Sequence, residues 1–472
     1  MERASGGPSL GRALDALREA MAPQDALLLA MTLTLLRHEA DAEGSDEWEY
    51  RTRARDAWGA VATGSWWRDP YELQRIIRGG LDAWESRHVR LADLPQLADV
   101  RAPQLSPLIE WVTAKADPAA LFEECLRHTQ TTGKGGQYYT PPDIARLLID
   151  LMEPRSGETV YDPVCGSGGF LLRAHEYVES ADRGVGLRLY GQDTSRTALQ
   201  TAAMNLTVHG AEARLEGPYS TLTDDRFADQ TFDVVVANPP FNQSGWDEGR
   251  HAPFDHRWVY GMPPPGNANF AWAQHVVSKM SSAGRGALLL PTGAATTAKS
   301  AESSIRARMV DADILSCVVE LPAGLIPHVR NPVSLWIFSR TKKPHLAWGH
   351  ADRSGQVLLI DARETAATIS RGRRTLSDES RKRIIETYAA WRGEPHGRQY
   401  KDETGWCRSV PVAEIAAKEY DVLPSHHPVV HATEPVSADA EEEVVRLTHE
   451  LLELFATSRR LEDELRELLG QW

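Results

Sequence analysis

The sequence predicts an α/β protein: a doubly wound domain with a seven-stranded, mostly parallel sheet, a helical N-terminal domain before it and a C-terminal coiled-coil helix after it. Three observations carry this. Short apolar runs alternate with helical segments from Thr159 to Ser339, the alternation that builds a parallel sheet covered on both faces. Three of those runs end in Asp162, Asp193 and Asn238, which puts polar groups at strand carboxyl ends, where open α/β sheets bind ligands. From Asp439 onward, apolar residues recur every three or four positions, a narrow seam of coiled-coil type.

A chain of 472 residues can form two or three domains with cores of their own. Its 42% hydrophobic and 25% charged residues are ordinary for a soluble globular protein. The apolar stretch from Ala26 to Leu36, broken by Thr32 and Thr34, is far shorter than the ~20 residues a bilayer needs, so no membrane association is expected. The first residues lack the apolar core and cleavage pattern of a signal peptide. Cys125, Cys165, Cys317 and Cys407 form no Cys-x-x-Cys pair, which argues against disulfides and structural zinc and for a reducing cytoplasm. A net charge of −14 is a poor starting point for a chain that holds nucleic acid by itself, because phosphate contacts dominate such affinity; either basic residues are segregated onto one face or another subunit supplies the grip.

Residues 1–130 read as helical. Leu10, Ala13, Leu14, Leu17 and Met21 share one helical face, and Asp25 is placed to cap the segment Ala26–His38. Helix is expected again over Leu73–Trp84, Leu108–Ala114 and Pro118–Thr129, with an exposed acidic loop over Ala40–Glu49. Trp58, Trp66, Trp67, Trp84 and Trp111 are expected as core or interface anchors. The catalytic domain is expected over residues 131–345. It opens with a Gly-rich stretch and Gln137-Tyr138-Tyr139-Thr140-Pro141, where Thr140 is placed to cap a helix over Pro142–Met152.

Thr159 to Asp162 reads as a strand, followed by the turn Cys165-Gly166-Ser167-Gly168-Gly169 and a helix from Phe170. Such a turn lets a ligand approach backbone N–H groups at a helix N-terminus. A second strand, from Leu187, ends at Asp193; that acid can accept two ribose hydroxyls, or it can cap the next helix. The third strand is expected near Ala213–Leu215. In the fourth, Phe232-Asp-Val-Val-Val-Ala runs into Asn238-Pro239-Pro240-Phe241, where two prolines halt strand pairing and hold the amide rigidly at the sheet edge. The segment Asn242–Pro265 shows no helical or strand period and is expected to border the target groove. Helices Asn269–Ser281 and Ala301–Val310 and strands Gly286–Pro291, Ile314–Leu321 and Val333–Ser339 complete the domain.

Residues 346–435 read as a mixed α/β extension with a strand over Val357–Ile360 and a helix over Asp378–Ala390. Its cluster Arg371, Arg373, Arg374, Arg381, Lys382 and Arg383 is either a solvated face or a phosphate contact. In residues 436–472, the seam Val444, Leu447, Leu451, Leu454, Ser458, Leu461, Leu465 and Leu468 either packs back on its own chain or docks on a partner helix.

Asn-Pro-Pro-Phe after an apolar strand resembles the signature of S-adenosylmethionine-dependent amino-methyltransferases. Asp162-Pro-Val-Cys-Gly-Ser-Gly-Gly-Phe170 looks like their cofactor loop, and Tyr139-Thr-Pro141 is similar to a segment upstream of it in one circular permutation. Further likenesses at Tyr260–Pro265, Gly266-Asn-Ala-Asn-Phe270, Leu290-Pro-Thr-Gly293, Glu320-Leu-Pro-Ala-Gly324 and Glu414–Leu423 resemble the modification subunits of type I restriction–modification systems. The resemblance implies a class I (Rossmann-like) methyltransferase sheet whose last strand is antiparallel. It also implies S-adenosyl-L-methionine as cofactor and the N6 amino group of an adenine in double-stranded DNA as acceptor. It assigns Gln137, Tyr138, Tyr139, Thr140, Pro141, Asp162, Gly166, Ser167, Gly168, Gly169 and Asp193 to the cofactor, and no metal. Asn238 and Pro239 would grip the amine, Pro240 would hold them rigid, and Phe241 would stack on the extruded base or pack in the core. The implied partners are a sequence-specificity subunit on the C-terminal helix and a restriction subunit. The third strand departs from the family: Gly217-Pro-Tyr-Ser-Thr-Leu222 stands where an acid is usual. A solitary site-specific adenine methyltransferase and a cofactor-bound scaffold in a phage-defence complex are the competing expectations.

Overall fold

The computed structural model describes residues 9–42, 48–64, 70–88, 97, 100–132, 140–181, 185–249, 255–326, 331–345, 349–370, 373–394, 398–429, 446–450, 452–455, 457–458 and 460–461. The chain divides into two compact units, Met1–His427 and Pro428–Trp472.

In the first unit, six helices come first: α1 (Leu10–Leu17), α2 (Pro23–Asp41), α3 (Trp48–Thr63), α4 (Pro70–Arg87), α5 (Ala102–Ala114) and α6 (Pro118–Thr132). Helix α2 begins earlier than expected. Pro23 occupies its first turn and Ala22 its N-cap, so Asp25 lies inside the helix and favours its positive end rather than capping it. Helix α4 crosses α3 closely at Gly80, where a Cβ would lie 2.6 Å from Ala57 Cβ. Trp84 and Trp111 are fully buried, as expected of core anchors, while Trp66 and Trp67 lie outside the described residues.

The α/β part follows as α7 (Pro142–Met152), β1 (Thr159–Asp162), α8 (Gly169–Ala181), β2 (Arg188–Gln192), α9 (Arg196–Val208), β3 (Ala213–Glu216) and β4 (Phe232–Ala237). Then come α10 (Asn269–Lys279), β5 (Met280–Pro291), α11 (Gly293–Thr296), α12 (Ser300–Asp311), β6 (Leu315–Glu320) and β7 (Val333–Ser339). The segment closes with β8 (Gln356–Asp361), β9 (Ala366–Ser370), β10 (Arg373–Leu376), α13 (Asp378–Arg392), β11 (Cys407–Pro411) and α14 (Val412–Ala417). Ala203, Met204 and Val208 of α9 complete the core of the helical part, and Trp84 Nε1 donates to Thr207 Oγ1 at 3.0 Å.

Among the described residues the main sheet has nine strands, ordered β11-β8-β6-β7-β5-β4-β1-β2-β3, and not the seven expected. The seven expected strands are all present. Their order is that of a doubly wound sheet, with β7 running antiparallel between β5 and β6. The added pair comes from the extension: β8 pairs parallel to β6, and β11 pairs antiparallel to β8. Local period cannot announce this, because both are short runs whose place is set by partners distant in sequence.

Strand β4 shows how the layers form. Val234 and Val236 enter one core with α7, α8 and α13, while Val235 and Ala237 enter the other with α10 and α12. Both faces are covered, so the strand is apolar throughout. No helix of the described residues is long and apolar enough to cross a membrane.

In the second unit, residues 446–450, 452–455, 457–458 and 460–461 are helical. Leu447, Leu454 and Leu461 of the seam are exposed, as are Leu452 and Phe455; Val444, Leu451, Leu465 and Leu468 lie outside the described residues.

Candidate active site

Parallel pairing of β1 with β2 and with β4 brings their carboxyl ends to one edge, so Asp162, Asp193 and Asn238 converge there. A pocket of about 310 Å3 opens at this edge and is lined by Thr140, Asp162, Gly166, Ser167, Gly169 and Asn238, among others. The pocket therefore joins the two sequence anchors that stand far apart in the chain. A larger cavity of about 510 Å3 lies around Arg285, Lys342 and Arg392, near the start of β5 and the end of β7. That is the other edge of the sheet, and none of the residues expected at the site lines it.

The Gly-rich turn is held from beneath. Cys165 N donates to Gln192 O at 3.0 Å and Gly168 N to Cys165 O at 2.8 Å. Gly168 has φ +79°, in the left-handed region open to glycine, and a Cβ there would press on Ala202 of α9 at 3.3 Å. Gly169 opens α8 and lines the pocket, and a Cβ there would meet nothing within 4 Å. Space thus remains in front of a helix N-terminus, which favours an anionic or polar ligand group.

Asp193 supports the pocket without lining it. Its Oδ2 accepts from Gly166 N at 2.9 Å and its Oδ1 from Ser195 N at 2.8 Å. The N-cap of α9 is Ser195, whose hydroxyl accepts from Ala198 N. Asp162 is 1% exposed, and its Oδ1 accepts from Val164 N at 3.0 Å. Burial, with the charge of Asp193 adding to it and the Val164 amide opposing, pushes the Asp162 carboxyl well above its usual range. Burial also raises Asp193, against three backbone N–H groups.

Thr140 does not cap α7 as expected. Pro141 is the N-cap, and no side-chain cap bond forms. The Thr140 hydroxyl instead accepts from Asn238 Nδ2 at 2.9 Å. Phe241 is half-buried and packs against the core that contains α7 and α8. Gln137, Tyr138 and Tyr139 lie outside the described residues.

The segment after Phe241 has no helix or strand among its described residues, as expected, yet it is tightly bonded. Asn242 adopts φ +55°, its amide donates to Asn269 Oδ1 at 3.0 Å, and its Oδ1 accepts from Asn267 and Asn269 Nδ2. This asparagine clamp fixes the Pro-Pro-Phe turn to the start of α10, and residue-level reading missed it. The signal was present: Asn242 is a residue type that tolerates left-handed backbone, Asn267 sits just before a helix and Asn269 opens it. Arg257, 6% exposed, ties the neighbouring loops together by donating to Thr221 O and Leu222 O and pairing with Asp255. Beyond β3, Tyr219 N donates to Asp193 O at 3.2 Å, and Arg226 covers one face of the Tyr219 ring at 3.8 Å.

A doubly wound sheet with one reversed strand between β5 and β6, and a pocket uniting the glycine turn with Asn238, defines the class as an S-adenosylmethionine-dependent methyltransferase. Within that class the chain belongs to the N-6 DNA methylase family, which it matches over residues 119–435. It is 34% identical to the type I restriction enzyme HindI methylase subunit of Haemophilus influenzae, over 73% of this chain and 75% of that one. It is 33% identical to the type I restriction enzyme MjaIX methylase subunit of Methanocaldococcus jannaschii, over 73% of this chain but 61% of that one. The fold is shared with the type I restriction-modification methyltransferase subunit from Streptococcus thermophilus, with TM-score 0.64, 19% identity and coverage of 89% and 98%. A chain from a study of type I restriction-modification complex assembly superposes with TM-score 0.65 at 20% identity, covering 97% of each.

Proposed function

We propose that this chain is the modification subunit of a type I restriction–modification system, transferring a methyl group from S-adenosylmethionine to the N6 amino group of an adenine rotated out of double-stranded DNA. The observation that carries it is the meeting of the glycine turn and Asn238 in one pocket. Bound there, the cofactor supplies an electrophilic methyl group on a sulfonium sulfur. Gly166 to Gly169 and Asp162 would hold it, and Asp193, outside the pocket lining, would brace the turn from behind through the Gly166 amide. The amine of an aromatic base is a weak nucleophile because its lone pair is delocalised. Asn238 Oδ1 and the Pro239 carbonyl accept its two N–H groups and so favour a pyramidal nitrogen whose lone pair points at the methyl carbon. The new N–C bond forms as the C–S bond breaks, sulfur keeps the electron pair, and the surplus proton leaves the nitrogen to solvent. Phe241, half-buried against the core, would stack a ring face on the extruded base.

A net charge of −14 and the exposed leucines of the tail support a DNA grip shared with a sequence-specificity subunit, which docks on the C-terminal helix, and assembly with a restriction subunit. The test is tritiated methyl transfer to DNA by the chain alone and by its complex with co-expressed neighbouring gene products. N6-methyladenine is expected from the complex and is lost with Asn238→Ala. Methylation of defined sites by the chain alone would favour a solitary enzyme.

A further inference from the structure

We propose that Thr140 is a positioning residue for methyl transfer, and that its hydroxyl sets which face of the Asn238 amide meets the acceptor amine. The proposal rests on the role given to Asn238 above. An asparagine amide offers an acceptor on one side and a donor on the other, with nearly the same shape. Gripping an amino group needs the oxygen; a half-turn would present N–H to N–H and repel it. Asn238 is 6% exposed, and among the described residues its one side-chain partner is Thr140 Oγ1, which takes Nδ2 at 2.9 Å. With Nδ2 engaged there, Oδ1, which accepts from no described residue, is the face turned to the acceptor amine.

Thr140 is unusual in being available for this. A threonine just ahead of a helix normally gives its oxygen to the first-turn amides. Here two prolines, Pro141 as N-cap and Pro142 as first residue, enter the helix, and α7 has no side-chain cap bond. The hydroxyl reaches across 98 positions of sequence to the amide instead. A hydroxyl can also donate, so its proton remains for an acceptor elsewhere in the pocket while the lone pair holds Nδ2. That fits a threonine or serine at this place and excludes valine, which has the shape without the lone pair.

The experiment compares Thr140→Val, Thr140→Ser and Asn238→Ala in the complete DNA-methylating complex. It measures kcat, KM for DNA and, by equilibrium titration, the affinity for S-adenosylhomocysteine. Thr140→Val is expected to lower kcat roughly 10- to 100-fold, the loss that follows misplacement of a reacting group. The resemblance assigned Thr140 to the cofactor, but its hydroxyl is engaged by Asn238, so S-adenosylhomocysteine affinity is expected to fall far less than kcat, with most activity restored in Thr140→Ser. The binding arm also reports folding, since an unfolded variant binds nothing. If kcat in Thr140→Val is unchanged while Asn238→Ala is inactive, the positioning role is overturned and the role of Asn238 stands. An active Asn238→Ala overturns both. If S-adenosylhomocysteine affinity falls as far as kcat, Thr140 is a cofactor contact and the positioning role is overturned.

Discussion

Asp143 and Thr375 join two segments that the sequence keeps far apart: Asp143 Oδ2 accepts from the Thr375 hydroxyl at 2.6 Å and from the Leu376 amide at 2.8 Å. The β9–β10 hairpin is thereby fixed to the first turn of α7, the turn that follows Thr140. Arg374, exposed on β10, donates to Ala323 O just past the carboxyl end of β6, on the same edge of the sheet as the pocket. Arg381, Lys382 and Arg383 are paired with Asp150 and Asp378, Glu386, and Glu403, and Arg371 lies outside the described residues. The Arg373 side chain also lies outside what is described, so among the described side chains of the cluster Arg374 is the one without a carboxylate partner and near the pocket edge, and a phosphate contact there is open to test. Arg374→Ala is expected to weaken DNA binding by the complex and to reduce the slope of log affinity against log salt by about 1. Asp143→Ala is expected to weaken binding although it removes a negative charge and leaves Arg374 in place, because the hairpin loses its anchor. Fluorescence anisotropy across a salt series reads both.

Arg285 on β5 is 5% exposed and takes both oxygens of Glu158, at 2.9 and 3.2 Å. Its other donors reach the carbonyls of Met152, Glu153 and Asp233, so one guanidinium ties the end of α7 and the approach to β1 to β4 and β5. Removing the carboxylate takes a bidentate counter-charge away from a buried cation. Glu158→Ala is expected to cost about 3–5 kcal/mol of stability. Glu158→Gln costs less, because one acceptor survives. Urea unfolding of the two variants gives the comparison.

The features readable from sequence are those set by neighbours in the chain. Apolar runs and the Asn238-Pro-Pro stop place three strand ends, and parallel pairing then brings them together. Strand β8 was legible as a short segment and β11 not at all, since only the pairing of β8 with β6 and of β11 with β8 shows that they belong to the main sheet. Thr140 misleads for the same reason. A capping signal is local, whereas its actual partner, Asn238, is brought near by the fold. The asparagine clamp at Asn242, Asn267 and Asn269 spans a loop with no period, so its parts carry little signal until they are seen in contact.

His275 is fully buried on α10, with Nδ1 3.2 Å from Arg257 Nη1. Burial first, then the charges of Arg257, Lys279 and His256, hold its pKa well below 6.5. In the unfolded chain the ring titrates near 6.5, so below that pH the unfolded state binds a proton that the folded state refuses. The contribution is complete above about pH 6.5 and is lost as the pH falls. Burial lowers His38 and His427 as well, and they act in the same direction. Thermal melts between pH 7.5 and 5.5 are expected to show the parent losing Tm relative to His275→Gln as the pH drops. An equally steep fall in the variant would assign it to the other histidines.

Asp162 sets stability against ligand binding. Its carboxyl is 1% exposed, with Asp193 adding repulsion, and its raised pKa means that the folded state holds the proton more tightly than the unfolded chain does. The sign is opposite to that of His275: stability falls as pH rises from about 4 through the raised value, because an ionised carboxylate must then be buried. Asp162→Asn removes that cost and keeps an oxygen for the Val164 amide, so the variant is expected to melt higher than the parent at pH 7.5. The same carboxyl group lines the pocket, where the proposed cationic cofactor would favour its ionised form. Replacing it with a neutral amide is expected to weaken S-adenosylmethionine binding by roughly 10- to 100-fold, the range for losing a hydrogen bond to a charged group. Calorimetric melting and equilibrium titration on the same preparation read the two effects, which move in opposite directions if the buried charge is retained for the ligand. A variant that melts lower would instead make Asp162 a structural support of the β1 turn.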